Sequence, residues 1–511
     1  MHPERPDGMK NYLLAIDQGT SGLKLMLAHL DGGLQVSQSV DYPTYYPAPG
    51  FIEQDPQDWW RAVCSGMPTL LEKASINASD IAAIGVDGVS WMPVMIGENG
   101  RTLGHCALWN DTRSTQECED MCRIAGRERI LSVSGNPVQP YYATPKLLWY
   151  RRHEPDRFRS LQSIVTSNGY LVWKLTGCLS QDASQAYGWS FYRMAQGTWD
   201  EEMAEALGID LDWLPSLCES MQVAGTVTSR AASESGLAEG TPVVAGGLDA
   251  ACGVLGAGVV NPGPAQEQSG SAGGMSICTD EYQPAPGLIL GRHVVPHRWL
   301  VQGGTVGGGG VFRWLGQQLY PEGMVPSSSE RNAELNRIAS QVPPGSDGLL
   351  FLPYMAGERS PIWNPDAKGV YYGLDFSKTR GHLVRAALEG TAYALRHNLE
   401  HAAQYGAVPT ELRAVGGASA SSVWMQIKAD ITGMPIRAVT SANATAIGCL
   451  MLAGVGSGVI GSFDEACRRF VSLQSHYLPD DQNRETYTHG FAQYKELYAH
   501  LKGMMKGQAD S

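Results

Sequence analysis

Residues 12–33 read YLLAIDQGTSGLKLMLAHLDGG, and the order of residue types in this stretch sets the fold class. Tyr12–Ile16 is a short apolar run, a polar turn rich in glycine follows, and Leu23–Leu30 is a second apolar run closed by the DGG of Asp31–Gly33. Short apolar runs bounded by such turns predict a strand, a turn, a second strand and a hairpin. Downstream, Trp59, Val63, Met67 and Leu70 recur at helical spacing and predict a helix from about Pro56 to Ala74, and Ile81–Val86 reads as another strand. Strands alternating with helices place the chain in the α/β class.

The second half opens as the first did. A breaker cluster, NPGP at 261–264, follows a small-residue segment at 250–258 and marks a candidate domain boundary. Ala265–Ser269 then leads into SGSAGG at 269–274 and an apolar run with Met275 and Ile277. The expected organisation is a loose lead-in at 1–10, a first domain at 11–258, a second at 259–505 and a tail at 506–511, with a cleft closed from both sides. Beyond Gly456, the helical spacing of Phe491, Tyr494 and Leu497 predicts that the C-terminal part packs back as core.

Bulk properties narrow the function classes. A chain of 511 residues exceeds one ordinary core. Glycine, at 60 residues, lies above the ordinary share of roughly 7% and implies many tight turns or close backbone approaches. The net charge of -13 disfavours nucleic acid and acidic membrane surfaces, which are held by accumulated Lys and Arg. The ten cysteines are scattered, and Cys118 and Cys122 lack a second pair at zinc-ligand spacing, so reduced thiols are expected. MHPERPDGMK carries no apolar targeting core, and no run approaches the roughly 18 apolar residues of a membrane span. A cytoplasmic protein is expected.

Four glycine-framed segments carry candidate chemistry. In DQGTSG, 17–22, backbone N–H groups and hydroxyls are placed to cradle an anion, with Asp17 available to orient a Mg ion and Lys24 to reach phosphates; a tight hairpin capped by its own Asp reads equally well. GGLDAACGVLGAG, 246–258, sets Asp249 before a run of small residues that suits a closely packed helix. The positive end of such a helix favours an ionised carboxylate, as a base requires, although the segment alone reads first as a helix N-cap. QGGTVGGGG at 302–310, with Gly304 and Thr305, and GGAS at 416–419 admit a nucleotide close to backbone, or are simply turns. None of these segments is a Walker A or a dinucleotide fingerprint.

GVYYGLDFSKTRGHLVRAALEG, 369–390, resembles the second signature of the FGGY carbohydrate kinases, and Gly369, Tyr371, Gly373, Leu374, His382 and Glu389 fit its defined positions. FLPYMAGERSPIWNPDAKG, 351–369, is similar to the segment that precedes that signature, and DQGTS resembles the family's first phosphate motif. The resemblance runs from about residue 11 to past 455. Its texture is closest to the xylulose kinases, in WNDTR at 109–113, TPKLLWYRRHEP at 144–155 and PVVAGGLDAACG at 242–253.

The resemblance implies a two-domain fold of the sugar kinase, heat-shock ATPase and actin type, ribonuclease H-like, with ATP and a sugar meeting in a central interdomain cleft. It implies Asp249 as the catalytic base and Asp17 as the carboxylate near Mg2+ and phosphate. Gly19, Thr20, Ser21 and Lys24 then face the transferred phosphate, and Gly270 and Ser271 belong to a second phosphate motif. Gly416, Gly417 and Ser419 form the adenosine-side loop, with Gly304 and Thr305 as further nucleotide contacts. Ser90, Trp91, Trp109, Asp111, Arg113 and Asp249 fall on the sugar side. The chain departs from the xylulose kinase pattern at Ala250, where Asn is usual, and at Val89–Met92, where a Gln-Met-His-Gly run is usual. Ala143, Ser271 and Ala272 depart in the first signature and the second phosphate motif. Ribulose, gluconate, erythritol, glycerol or a hexulose therefore stand beside xylulose as acceptors, and a catalytically silent sensor or an actin-like filament protein remains a reading of another class. Oligomeric state is left open, a homodimer included.

Overall fold

The computed structural model describes residues 10–33, 35–320, 327–440 and 443–505. The expected lead-in, apart from Lys10, and the expected tail at 506–511 lie outside the described residues. The chain forms two compact units: the first takes the residues up to Val260 together with Gly291–Trp299 and Asn443–Val471, and the second takes the rest. Each is an α/β unit on its own mixed sheet.

In the first unit the opening stretch folds as its pattern predicts, into β1 (Tyr12–Gln18) and β2 (Gly22–His29), followed by β3 (Gln35–Asp41). Helix α1 (Pro56–Ala74) starts where Asp55 accepts the Gln57 N–H at 2.9 Å and Pro56 takes the first helical position, and it ends at Ser75 in the left-handed region. Its Trp59, Val63, Met67 and Leu70 are fully buried in one cluster with Leu14, Ile16, Leu25 and Leu27. Strand β4 (Ile81–Gly88) lies beside β1, and β5 (Val223–Thr226), β6 (Pro242–Val244) and the short β7 (Gly247–Leu248) complete the sheet, ordered β5-β6-β4-β1-β2-β3 with β7 also on β4.

Helix α2 (Asp249–Gly256) follows β7 directly, and α3 (Ala444–Gly456) returns to pack on α2, β1 and β4. The small residues make this packing close. A Cβ on Gly85 of β4 would sit 2.3 Å from the Cys449 carbonyl oxygen, and one on Gly448 would sit 1.9 Å from that of Cys252, so neither position admits a side chain. Strand side chains alternate between faces. The face of β1 and β4 that carries Ala15 and Gly85 beneath α3 therefore also carries Asp17 and Asp87.

The second unit repeats the arrangement. Pro264–Ser269 runs antiparallel to Gly273–Thr279 and parallel to Glu411–Val415, as β1 runs antiparallel to β2 and parallel to β4. The helix Arg484–Leu501 buries Tyr487, Phe491 and Tyr494 and leaves Leu497 half-buried, so the C-terminal part joins the core through its aromatic residues. No helix among the described residues is long and apolar enough to cross a membrane.

Candidate active site

Three carboxylates converge at one end of the first unit's sheet. Asp17, one residue before the end of β1, pairs in register with Asp87, one residue before the end of parallel β4, and with Lys24 on antiparallel β2. β7 continues the row, with Gly247 paired to Asp87 and Leu248 to Gly88, so Asp249 emerges immediately beyond them.

Asp87 is fully buried, with the Cys449 thiol and the Asp17 carboxyl as its side-chain neighbours. Burial, then the charges of Asp17 and Asp249, hold its pKa well above the usual carboxylate range. A protonated Asp87 supplies its own donor, directed at Asp17. Burial also raises Asp17, against the pull of the Lys24 ammonium and of the Asp87 hydrogen bond. Both carboxyls are thus held above the usual carboxylate range, as neighbouring acids in a low-dielectric setting are.

Asp249 stands at the first helical position of α2 rather than at its N-cap. Leu248 occupies the cap position, which corrects the capping role that the segment alone suggests. Its Oδ1 accepts the Ala250 N–H at 2.6 Å, while Oδ2 has no donor among the described residues. Burial pushes the carboxyl up to about 7, the Ala250 N–H pulls it down, and the Asp17 charge adds to the rise.

The turn after β1 closes through Gly19 N–H donating to the Gly22 carbonyl at 3.1 Å, leaving Thr20 and Ser21 exposed. Gln54 donates to the Thr20 carbonyl at 2.6 Å, and the Trp109 indole donates to the Thr20 hydroxyl at 3.3 Å, which brings two segments predicted from sequence together. Lys24 donates to Asn443 Oδ1 at 2.7 Å. Asp111 and Arg113 form a closed pair: the guanidinium is bidentate on the buried carboxylate, reaches Glu53 at 2.7 Å and lies 4.0 Å from the Phe51 ring centroid. Asp111 also accepts the Ile52 N–H at 2.6 Å, so these two side chains brace the loop that presents Trp109.

Ser90 and Trp91 lie on the segment after β4. Trp91 has φ +54°, a backbone state that a bulky side chain seldom adopts, and its ring packs 4.6 Å from Tyr142 and 5.3 Å from Tyr187. The Tyr187 phenol is raised well above its ordinary value by burial and then by the charges of Tyr142 and Asp249.

The second unit carries a separate cavity of about 770 Å³, within the usual range for small-molecule sites. Gly270, Ser271 and Gly417 line it together with Phe312, Arg313 and Asn336. The turn at 270–271 is held by the Gly309 and Gly310 N–H groups, which donate to the Gly270 and Ser271 carbonyls at 2.7 and 2.9 Å. Gly416 has φ +95°, and a Cβ there would lie 2.8 Å from the Ser269 carbonyl oxygen; the Ser419 hydroxyl donates to the Gly416 carbonyl at 2.7 Å. Gly304 and Thr305 do not line this cavity: Gly304 N–H donates to the Ser360 hydroxyl at 2.7 Å, and the Thr305 hydroxyl donates to the Gly307 carbonyl at 3.1 Å. Beneath the turn, the buried Lys428 ammonium contacts Glu267 at 2.6 Å and Ser269 Oγ at 2.5 Å.

Sequence reasoning passed over Asp87, Arg313, Asn336 and the Lys428–Glu267 pair. The signal for Asp87 is present in IAAIGVDG, an apolar run that ends in Asp as YLLAID does.

Residues 12–256 match the N-terminal domain, and 270–457 the C-terminal domain, of the FGGY family of carbohydrate kinases. The chain is 31% identical to a xylulose kinase of Escherichia coli K12 over 96% of its own length and 99% of the relative's. It is 29% identical to a xylulose kinase of Bacillus subtilis over 96% and 98%, and to a glycerol kinase of Ralstonia nicotianae over 96% and 98%. The crystal structure of a xylulose kinase from Rhodospirillum rubrum superposes with a TM-score of 0.90 at 30% identity, covering 97% of this chain and all of that one. That of a gluconate kinase from Lactobacillus acidophilus, at 24% identity, shares the fold with a TM-score of 0.88 over 96% and 98%.

Proposed function

Because the chain belongs to the FGGY family of carbohydrate kinases, we propose that it transfers the γ-phosphoryl group of ATP to a hydroxyl of a small ketose or polyol, with Asp249 as the base. The observation that carries this reading is Asp249 itself: a half-buried carboxylate whose Oδ2 has no donor among the described residues and whose pKa burial pushes up to about 7, beside a sheet end that holds two further acids and a glycine-framed turn. A base tuned close to neutral pH accepts a hydroxyl proton effectively as that oxygen attacks phosphorus.

Phosphoryl transfer asks a protein mainly for positioning and for neutralisation of charge. Asp249 Oδ2 takes the proton, Thr20 and Ser21 on the exposed turn offer N–H and hydroxyl donors toward the transferred group, and Lys24 adds positive charge. The second unit's cavity takes the nucleotide, with Gly270 and Ser271 toward its phosphates and Gly417 toward its adenosine, on a turn that Gly416 and Ser419 shape without lining the cavity.

Among the described residues no group of three or more His, Cys, Asp or Glu is arranged to enclose a metal ion. Mg2+ binds through one or two carboxylates together with phosphate oxygens and retained waters. Asp17 is the carboxylate that would hold it, and the ion would neutralise phosphate charge.

A xylulose-like pentulose is the first acceptor to test, supported by the two xylulose kinase relatives and by the Rhodospirillum structure. The Ser90–Trp91 segment, with its tilted aromatic group, and the short Ala250 side chain favour the second reading, a different ketose or polyol. Coupled measurement of ADP release over xylulose, ribulose, gluconate, erythritol, glycerol and hexuloses distinguishes them. Acceptor-dependent release with one of these is expected, and release with none would remove the kinase reading.

A further inference from the structure

The two segments that carry the acceptor-side residues, 88–91 and 247–249, are far apart in sequence, yet one buried polar block fastens both. Its centre is the short helix Ala183–Ala186, preceded by Asp182. Asp182, Ser184 and Gln185 are each at most 1% exposed. Asp182 Oδ1 accepts from the Ser184 N–H at 2.9 Å, the Gln185 N–H at 3.0 Å and the Ser184 hydroxyl at 2.5 Å. With its own proton committed there, the Ser184 hydroxyl is left as an acceptor. It takes the Leu248 N–H at 2.8 Å, one residue before Asp249.

Gln185 acts on the other segment. Its Nε2 donates to the Gly88 and Val89 carbonyls at 3.0 and 3.2 Å, and its Oε1 accepts the Trp91 N–H at 3.0 Å, so one side chain makes three bonds to the loop that holds Trp91 at positive φ. Asn168 anchors the block from behind, donating to Asp182 Oδ2 at 2.9 Å and to the Ala245 carbonyl at 3.1 Å. A Cβ on Gly247 would lie 2.8 Å from Ser184 Oγ, so the backbone before Asp249 is seated directly on this hydroxyl.

We propose that Ser184 and Gln185 are the positioning residues of the acceptor side: Ser184 sets where Asp249 stands, and Gln185 sets the Trp91 segment against it. A buried side chain whose every polar atom is committed has one geometry, and the two segments inherit it. The proposal rests on the phosphotransferase reading and adds to it a division of labour, with Ser184 acting on the chemical step and Gln185 on acceptor binding.

The test uses the full chain with ATP and whichever acceptor supports ADP release. Ser184→Ala is expected to lower kcat by about 10- to 100-fold, since a displacement of about 1 Å at a reacting group has effects of that size. The KM for ATP is expected to stay within about twofold, because the nucleotide cavity belongs to the other unit. Ser184→Thr restores the hydroxyl and is expected to recover most of kcat, and Gln185→Leu is expected to raise the acceptor KM more than it lowers kcat. Ser184→Ala with wild-type kcat, or Ser184→Thr as impaired as Ser184→Ala, would overturn the proposal. Should Ser184→Ala fail to fold, the Thr and Cys variants decide: Thr above Cys in kcat supports it, and equal values overturn it. A wild-type chain that releases no ADP with any acceptor would instead count against the kinase reading itself.

Discussion

Replacing Asp249 by Asn keeps the side chain's size and removes its charge, which separates what the carboxylate does for turnover from what it does to stability. Its pKa in the folded chain is about 7, against 3.8 for an unperturbed Asp. Each unit corresponds to about 1.4 kcal/mol, so a rise of about three units gives a ceiling of about 4 kcal/mol for the penalty on the ionised form. Asp249 is half-buried, and partial screening by water brings the expected value to about 1–3 kcal/mol. The sign follows from proton binding. Between pH 4 and pH 7 the folded chain binds the proton that the unfolded chain has released, so this group's contribution to stability falls as pH rises and reaches its full penalty above about pH 7. Asp249→Asn is therefore expected to unfold at higher denaturant concentration than the wild type at pH 8, with a smaller gain at pH 5, while kcat falls about 10²- to 10⁴-fold. Denaturant unfolding at both pH values, with steady-state turnover, measures this. A variant no more stable at pH 8, or equally stabilised at both, would refute the reasoning about burial at this position.

Gly416→Ala places a Cβ 2.8 Å from the Ser269 carbonyl oxygen at φ +95°, so the KM for ATP is expected to rise about tenfold or more with the acceptor KM little changed, as read from two-substrate kinetics. Lys428→Met leaves Glu267 buried without its ammonium and is expected to destabilise by about 3–5 kcal/mol in denaturant unfolding; adding Glu267→Leu is expected to recover most of that loss. Asp87→Asn keeps a donor toward Asp17 and is expected to hold kcat within a few fold, whereas Asp87→Leu removes the donor and is expected to lower kcat by at least about tenfold. Equal kcat in the two Asp87 variants would exclude a role for a donor at Asp87.

Local pattern carried most of the first unit's framework. The β1–β2 pair and the limits of α1 follow from apolar runs, turn glycines and a capped helix start, all encoded within a few residues. The aromatic side chains that bury the C-terminal helix were equally readable, as was the glycine-framed turn after β1. What escaped depends on register and chain path. Asp87 becomes a partner of Asp17 only because β4 lies parallel to β1 with those residues paired, 70 positions apart. Ser184 reaches Leu248 across 64 positions, and Lys428 reaches Glu267 across 161, and no local periodicity encodes either. The return of 443–471 to the first unit, which sets α3 over Gly85, is likewise a property of chain path. Asp249 shows a further limit: an acid at a strand-to-helix junction has one sequence signature whether it caps the helix or stands one residue inside with an oxygen free, and only the backbone distinguishes the two.

The most direct test of the account is acceptor-dependent ADP release by Asp249→Ala beside the wild type, with nucleotide affinity measured on the same samples. Loss of turnover by about 10²-fold or more, with ATP affinity within about twofold, is the expected result. Turnover near that of the wild type would mean that another group takes the hydroxyl proton.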